Sequence, residues 1–268
     1  MHIEFAKGHG TRNDFVLFAD PDNLYDLTAD QVSHLCDRRG GIGADGVLRA
    51  VRCALVPGWE AEGERWFMDY RNADGSIAEM CGNGLRVFLR YLEEEGLVVG
   101  TEVTVATRAG LRTGRFLPDG RVAVTMGRAR IGAQVQVRLG ADTWPATAVD
   151  VGNPHAVCIV EADRLDALDL THDAPSWEPA GAFPHGANIE FVVREAPGRL
   201  RLRVHERGVG ETESCGTGVV AAAAAMRDDD TYTVGVPGGT LQVDLGGEEA
   251  VLTGPAVVVA RGQCTLPD

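Results

Sequence analysis

One four-residue pattern occurs twice and divides this sequence in two. Cys81-Gly82-Asn83-Gly84 and Cys215-Gly216-Thr217-Gly218 lie half a chain length apart in 268 residues, and each runs into an apolar stretch. Such a repeat constrains the chain to two like-built halves, each presenting one thiol where a helix begins. A helix N-terminus carries partial positive charge and N–H groups with no helical partner, and it lowers the pKa of a thiol placed there. Two such thiols facing each other across a cleft would form an acid–base pair able to move one proton between the two faces of a carbon. That is the chemistry of a racemase or an epimerase.

Most of the sequence reads as short strands punctuated by turns. Residues 101–107, 121–126, 135–139, 155–160, 187–193, 231–237, 240–245 and 251–260 alternate or are rich in Val and Thr. Residues 199–205 show the cleanest period of two, with Leu200, Leu202 and Val204 on one face and Arg199, Arg201 and Arg203 on the other. Helices are expected at 28–39, with Thr28 or Asp26 as N-cap, at 82–95 and at 216–227. Leu85, Phe88, Leu89 and Leu92 form one stripe of the second, and Gly96 is its candidate stop. The third is apolar on every side, which implies burial all round. Landmarks recur in order, with Asn13-Asp14-Phe15-Val16 in one half and Asn153-Pro154-His155-Ala156-Val157 in the other. The class expected is α+β: two pseudo-symmetric strand-rich domains, 1–126 and 127–254, each wrapped around a central helix, with the active site in the cleft between them.

Composition removes several alternatives. The formal net charge of −14 argues against a nucleic-acid partner, which calls for a basic face. No stretch is apolar enough for a bilayer span, and Met1-His2-Ile3-Glu4-Phe5 lacks the layout of a signal peptide, so a cytoplasmic protein without membrane attachment is expected. The six cysteines form no C-x-x-C pair and the histidines no H-x-x-x-H pair, so neither a disulfide frame nor a metal site is expected. Lys7 is the only lysine and lies in a strand-like segment with no cofactor motif. Pyridoxal phosphate, which needs a Schiff-base lysine, is therefore not expected, nor is any other cofactor.

The motif glycines let backbone approach a ligand closely. The N–H groups of Gly82, Asn83, Gly216 and Thr217 are expected to clamp an α-carboxylate, with two helix dipoles aimed at it. Cys36, Cys53, Cys158 and Cys264 lack that doubled glycine frame and read as small buried hydrophobes.

The segment Tyr70-Arg71-Asn72-Ala73-Asp74-Gly75-Ser76 running into Met80-Cys81-Gly82-Asn83-Gly84 resembles the first signature of the diaminopimelate epimerase family. Glu206-Arg207-Gly208-Val209-Gly210-Glu211-Thr212 running into Cys215-Gly216-Thr217-Gly218 resembles the second. Gly8 to Phe15, Gly41-Ile42-Gly43-Ala44-Asp45-Gly46 and Gly152-Asn153-Pro154-His155 resemble further family blocks in the same order. The resemblance implies a cofactor-independent enzyme that converts LL-diaminopimelate to the meso form for lysine and peptidoglycan synthesis, and a homodimer. It implies that Cys81 and Cys215 are the two bases and that His155 and Glu206 tune the thiols. Asn13, Asn72, Asn153 and Asn188 would bind the substrate, with Glu206 and Arg207 on its distal amino and carboxylate groups. The last strand, within 255–268, would return to the first half. Where some relatives carry a glutamine near position 46, this chain has Asp45-Gly46.

Two other readings stand beside this one. A racemase or epimerase of proline, hydroxyproline or another amino acid could use the same fold, although the Glu206-Arg207 block suits a substrate with a bifunctional distal end. A non-catalytic redox or binding protein could use the thiols as a disulfide.

Overall fold

The chain enters through a hairpin, β1 (His2–Gly10) and β2 (Asn13–Ala19). Thr11 and Arg12 turn it, both left-handed with φ of 49° and 66°. Two such residues in succession make the tight turn whose twist matches the strands, and Gly10 pairs Asn13 across it. In a computed structural model, which describes residues 2–266, this hairpin opens the first of two units. That unit runs to Val124 and takes in the chain from Pro255 onward; the second is Thr125–Gly254.

The first unit continues with β3 (Gly46–Arg52), β4 (Trp66–Asn72), β5 (Glu102–Thr107), β6 (Gly110–Phe116) and the start of β7 (Val122–Gly127), whose residues from Thr125 on belong to the second. Successive pairings run antiparallel, parallel, antiparallel, parallel, antiparallel and antiparallel from β1 to β7. Two helices join them, α1 (Ala29–Cys36) between β2 and β3 and α2 (Gly82–Glu94) between β4 and β5. Thr28 caps α1, with a reciprocal bond from Gln31. The helix stops three residues before the expected Arg39, because Asp37 Oδ1 accepts from the Arg39 and Gly40 N–H groups at 2.7 Å each. Leu85, Phe88, Leu89 and Leu92 on α2 are wholly buried, and α2 packs on β1, β2 and β6. Truncating one of these leucines to alanine would cost about 2–5 kcal/mol.

The second unit repeats the plan. Its strands are β8 (Arg130–Leu139), β9 (Asp142–Asp150), β10 (Pro154–Ile159), β11 (Ser176–Glu178), β12 (Asn188–Ala196), β13 (Arg199–Glu206), β14 (Gly210–Thr212), β15 (Thr231–Val236), β16 (Gly239–Asp244) and β17 (Ala250–Gly254). From β9 through β10, β12, β13, β15, β16 and β17 the pairings again run antiparallel, parallel, antiparallel, parallel, antiparallel and antiparallel. Helix α3 (Ala162–Ala167) was not expected; six residues are too short for a periodic signal. Helix α4 (Gly216–Met226) packs on β9, β10, β12, β13, β15, β16 and β17. Its alanines let strands close in from every side, and Ala221, Ala222 and Ala223 are wholly buried.

One expected strand is corrected. Residues 251–260 do not form one element, because Pro255 cannot donate to a ladder and the chain leaves the second unit there. Beyond it β18 (Val257–Thr265) pairs antiparallel with β1, from His9↔Val257 to His2↔Thr265. Residues 267 and 268 of the expected return segment lie outside the described residues.

Candidate active site

Each motif cysteine is the N-cap of the central helix of its unit. Cys81 has φ −136° and ψ 123°, and its Sγ accepts from the Gly84 N–H at 3.4 Å. Cys215 has φ −116° and ψ 111° before α4. Extended N-caps aim side chains across the opening turn, where amide N–H groups have no carbonyl of their own helix to meet. Gly82 and Gly216 are therefore first helical residues, as the spacing predicts. All six cysteines are free thiols.

In the first unit the hairpin turn brings Asn13 to the cysteine. The Cys81 thiol lies 3.5 Å from Asn13 Oδ1, which also accepts from Asn83 Nδ2 at 3.4 Å. The other end of the Asn13 amide donates to Asp45 Oδ2 at 2.8 Å. Asp45 is thus the residue that orients Asn13. Gly46 beside it has no room for a side chain, since a Cβ there would lie 2.6 Å from the Arg71 carbonyl oxygen. Asp14 and Asp45 share Arg38, and Asp14 also pairs with Lys7, 2.6 Å away. The hydrogen bonds from Arg38 and Lys7 hold the Asp14 carboxyl at about 2 against the opposing effect of burial. Lys7 is fully engaged there and also donates to the Gly43 carbonyl. Asn72 ends β4 opposite Gly46, and the next residue, Ala73, donates its N–H to the Asp45 carbonyl at 3.1 Å; the Asn72 Nδ2 itself donates to Ser76 Oγ at 3.0 Å in the turn after β4.

In the second unit the parallel pairing of β10 and β12 sets His155 opposite Asn188. His155 is wholly buried; its Nδ1 lies 2.7 Å from Glu190 Oε1 and its Nε2 2.9 Å from Asn153 Oδ1. Asn153 Nδ2 donates to Thr217 Oγ1 at 3.3 Å, and Thr217 Oγ1 lies 3.4 Å from Cys215 Sγ. A continuous chain therefore runs from Glu190 through His155, Asn153 and Thr217 to Cys215. Asn153 Oδ1 can only accept, so the proton of the imidazole must sit on Nε2 at this contact. Glu190 fits because Gly218 has no side chain: a Cβ there would lie 2.6 Å from Oε1.

Glu206 approaches Cys215 from the end of β13. Burial pushes its carboxyl above the usual carboxylate range, against hydrogen bonds from Thr212 and the Cys215 thiol. Arg207 follows it, exposed, with its backbone N–H on Asn188 Oδ1 at 3.0 Å and its guanidinium on the His185 carbonyl at 3.3 Å. Asn188 in turn donates to the Pro154 carbonyl at 3.4 Å.

The expectation that a helix N-terminus lowers both thiols is corrected for Cys215. Its thiol is pushed well above the ordinary value, first by burial and then by the Glu206 and Glu190 carboxylates, against the Thr217 hydroxyl and the Gly218 N–H. Desolvation with two carboxylates outweighs one helix end. Cys36, Cys53 and Cys158 are buried and Cys264 half-buried; burial raises all four thiols, Cys36 to about 12.

Asp45, Arg86, Glu190 and Thr212 touch this machinery without having been singled out in the sequence. For Glu190 a signal exists: one acid amid Ile189, Phe191, Val192 and Val193, where a buried strand calls for an apolar residue. Asp45 lies inside the glycine-rich block, and Arg86 inside the apolar run of α2.

The sequence matches the profile of the family described as diaminopimelate epimerase over residues 5–132 and 147–259. It is 53% identical to a diaminopimelate epimerase of Streptomyces coelicolor, over 97% of this chain and 95% of the relative. It is 51% identical to that of Thermobifida fusca, over 98% of each. Among solved structures, a hydroxyproline epimerase from Agrobacterium vitis superposes with a TM-score of 0.68 at 17% identity, covering 100% of this chain and 93% of that one. At that identity the likeness is one of fold.

Proposed function

Because the chain belongs to the diaminopimelate epimerase family, we propose that Cys81 and Cys215 are the two bases of its reaction. The enzyme is an isomerase that converts LL-diaminopimelate to meso-diaminopimelate without pyridoxal phosphate, a step of lysine and peptidoglycan precursor synthesis. One observation carries the assignment: both thiols are N-caps of equivalent helices in units of the same strand order.

The α-carbon of an amino acid is a very weak acid. Its developing carbanion needs positive charge and N–H donors nearby. The opening turns of α2 and α4, with Gly82, Asn83, Gly216 and Thr217, supply them to the α-carboxylate. A thiolate on one face takes the α-proton, and the C–H electrons remain on carbon. The thiol on the other face then delivers its proton to that carbon and is left as thiolate. Stereochemistry is inverted, protons balance, and the reverse direction exchanges the roles. Asn13, Asn72, Asn153 and Asn188 bind the substrate, and Glu206 and Arg207 take its distal ammonium and carboxylate, the latter by the planar fork of a guanidinium. Through Thr217 and the carboxylate of Glu206, His155 and Glu206 govern the Cys215 thiol. We place the enzyme in the cytoplasm as a homodimer on the family resemblance. The proline-type alternative gains nothing beyond fold from the hydroxyproline epimerase likeness.

The test is α-proton exchange in deuterated water with reduced protein and LL-diaminopimelate. Deuterium entering substrate together with meso product is the expected result. Cys81→Ala and Cys215→Ala should each abolish it, while Cys36→Ala keeps it. Loss confined to the Cys36 variant would sink the site assignment, and exchange only with L-proline would move the substrate.

A further inference from the structure

Arg86 is wholly buried on α2, and no carboxylate among the described residues lies within ion-pair distance of it. Taking a guanidinium out of water without an anion is strongly unfavourable. Its acceptors are all neutral: the Gly82 carbonyl at 3.1 Å, Asn83 Oδ1 at 3.0 Å and the Pro255 carbonyl at 3.4 Å. Two of these belong to the first turn of α2, so the side chain folds back toward the helix N-terminus. That end already carries the positive pole of the helix, which makes a cation there doubly unfavourable. The arrangement makes sense only if an anion resides at the same helix end. The group placed there is the Cys81 thiol, on the residue directly before Gly82.

Other charges in this unit are engaged elsewhere. Lys7 on β1, Asp14 on β2, Asp45 before β3 and Arg38 after α1 pair among themselves. Arg115 on β6 pairs with Glu102, and Arg261 on β18 with Glu94 and Glu95 at the far end of α2. His9 on β1 accepts from the Arg12 N–H at 3.4 Å. Arg112 on β6 donates to the Leu111 carbonyl at 2.8 Å. A substrate carboxylate cannot be the counter-charge of the resting enzyme, which holds no substrate, and Arg86 exposes nothing for one to touch.

We propose that Arg86 is a positioning residue, the buried counter-charge that keeps Cys81 as thiolate in the resting enzyme, while Cys215 rests as the thiol. The Arg86 charge acts directly on the Cys81 sulfur, against Asn13 Oδ1, which at 3.5 Å accepts from the thiol and favours that form. In the second unit the residue five places after Cys215 is Val220, and the Glu206 and Glu190 carboxylates both disfavour that thiolate. Burial brings the Arg86 guanidinium down to about 10, partly reversed by Cys81, so it remains a cation at neutral pH. The pair is therefore biased before substrate arrives, and the first α-proton taken from a bound substrate goes to Cys81.

The inference rests on Cys81 being one of the two bases, and its test does not depend on turnover. In Cys215→Ser protein, iodoacetamide labelling of Cys81 is followed by mass spectrometry of the tryptic peptide across pH. With Arg86 present, Cys81 should label with a midpoint below the ordinary free-thiol value of about 8.5. Arg86→Gln should lower the rate at neutral pH by about tenfold or more and move the midpoint up, and Arg86→Lys should restore much of it. A midpoint at or above the ordinary value with Arg86 in place overturns the proposal and needs no Arg86 variant. So does a folded Arg86→Gln protein that labels like its parent. If Cys81→Ala retains epimerase activity, the base assignment fails, whereas the labelling result stands on its own.

Discussion

Glu190 Oε1 lies 2.7 Å from His155 Nδ1, and both side chains are wholly buried. Because Asn153 Oδ1 accepts from Nε2, Nδ1 is the ring nitrogen left to meet the Glu190 carboxyl. Glutamine in place of Glu190 can still donate to Nδ1 and hold the same tautomer. Glu190→Gln should therefore keep near-native thermal stability while removing one of the carboxylates that raise Cys215. Its Cys215 labelling midpoint should move to lower pH. Glu190→Ala strips Nδ1 of its partner in the interior and should cost about 1–3 kcal/mol in denaturant titration. Equal stability for the two variants would show that the hydrogen bond contributes little.

The motif glycines were legible as a pair, but their separate tasks were not. At Gly84 a Cβ would meet Phe15 Cζ at 3.3 Å and the Cys81 Cβ at 3.5 Å. At Gly218 it would meet Glu190 Oε1 at 2.6 Å, a wholly buried carboxylate with nowhere to retreat. Gly218→Ala should displace Glu190, disconnect His155 and lower kcat by about tenfold or more. Gly84→Ala should be milder, since an aromatic ring edge can give by a few tenths of an ångström. Kinetics of the two variants side by side check the order; a more damaging Gly84→Ala would reverse the reading.

Local pattern and motif spacing revealed the central helices, their caps and the two cysteines. Leu85 to Leu92 repeat at the helical period and the run from Val219 is apolar on every side, each within one element, so burial follows from sequence alone. Partners brought together by strand pairing were hidden. Glu190 meets His155 because β10 and β12 run parallel, and nothing local announces that register. Arg86 sits in a helical stripe whose neighbours are leucines, and its burial depends on how the sheet closes over α2. The sign of the Cys215 shift was lost for the same reason, since a helix end is local whereas the carboxylates around it come from other strands.

Arg207 offers a clean separation of binding from folding. Its backbone N–H bonds Asn188, so Arg207→Ala leaves that contact in place, and the lost guanidinium is exposed. Stability should change by less than about 0.5 kcal/mol. The distal carboxylate of the substrate should lose its fork, and KM for diaminopimelate should rise by about tenfold or more with kcat less affected. Asn188→Ala should instead lower stability by about 1–2 kcal/mol, because its amide ties the Arg207 N–H to the Pro154 carbonyl. An Arg207→Ala enzyme with normal KM would remove the distal clamp from the mechanism.

The Cys215 thiol gives the last prediction, and its sign follows from named causes. Burial, Glu206 and Glu190 all disfavour the thiolate, so its fraction is small at neutral pH and grows only on the alkaline side. In Cys81→Ser protein, iodoacetamide should label Cys215 with a midpoint above the ordinary thiol value of about 8.5. Glu206→Gln keeps the shape and an oxygen able to accept the thiol proton, yet removes the first of the two carboxylates. The midpoint should fall, without reaching the ordinary value, because burial is the largest cause and remains. An unchanged midpoint would leave burial alone in control of this thiol. A rise would mean that the Glu206 carboxylate favours the thiolate, and would reverse its assigned effect.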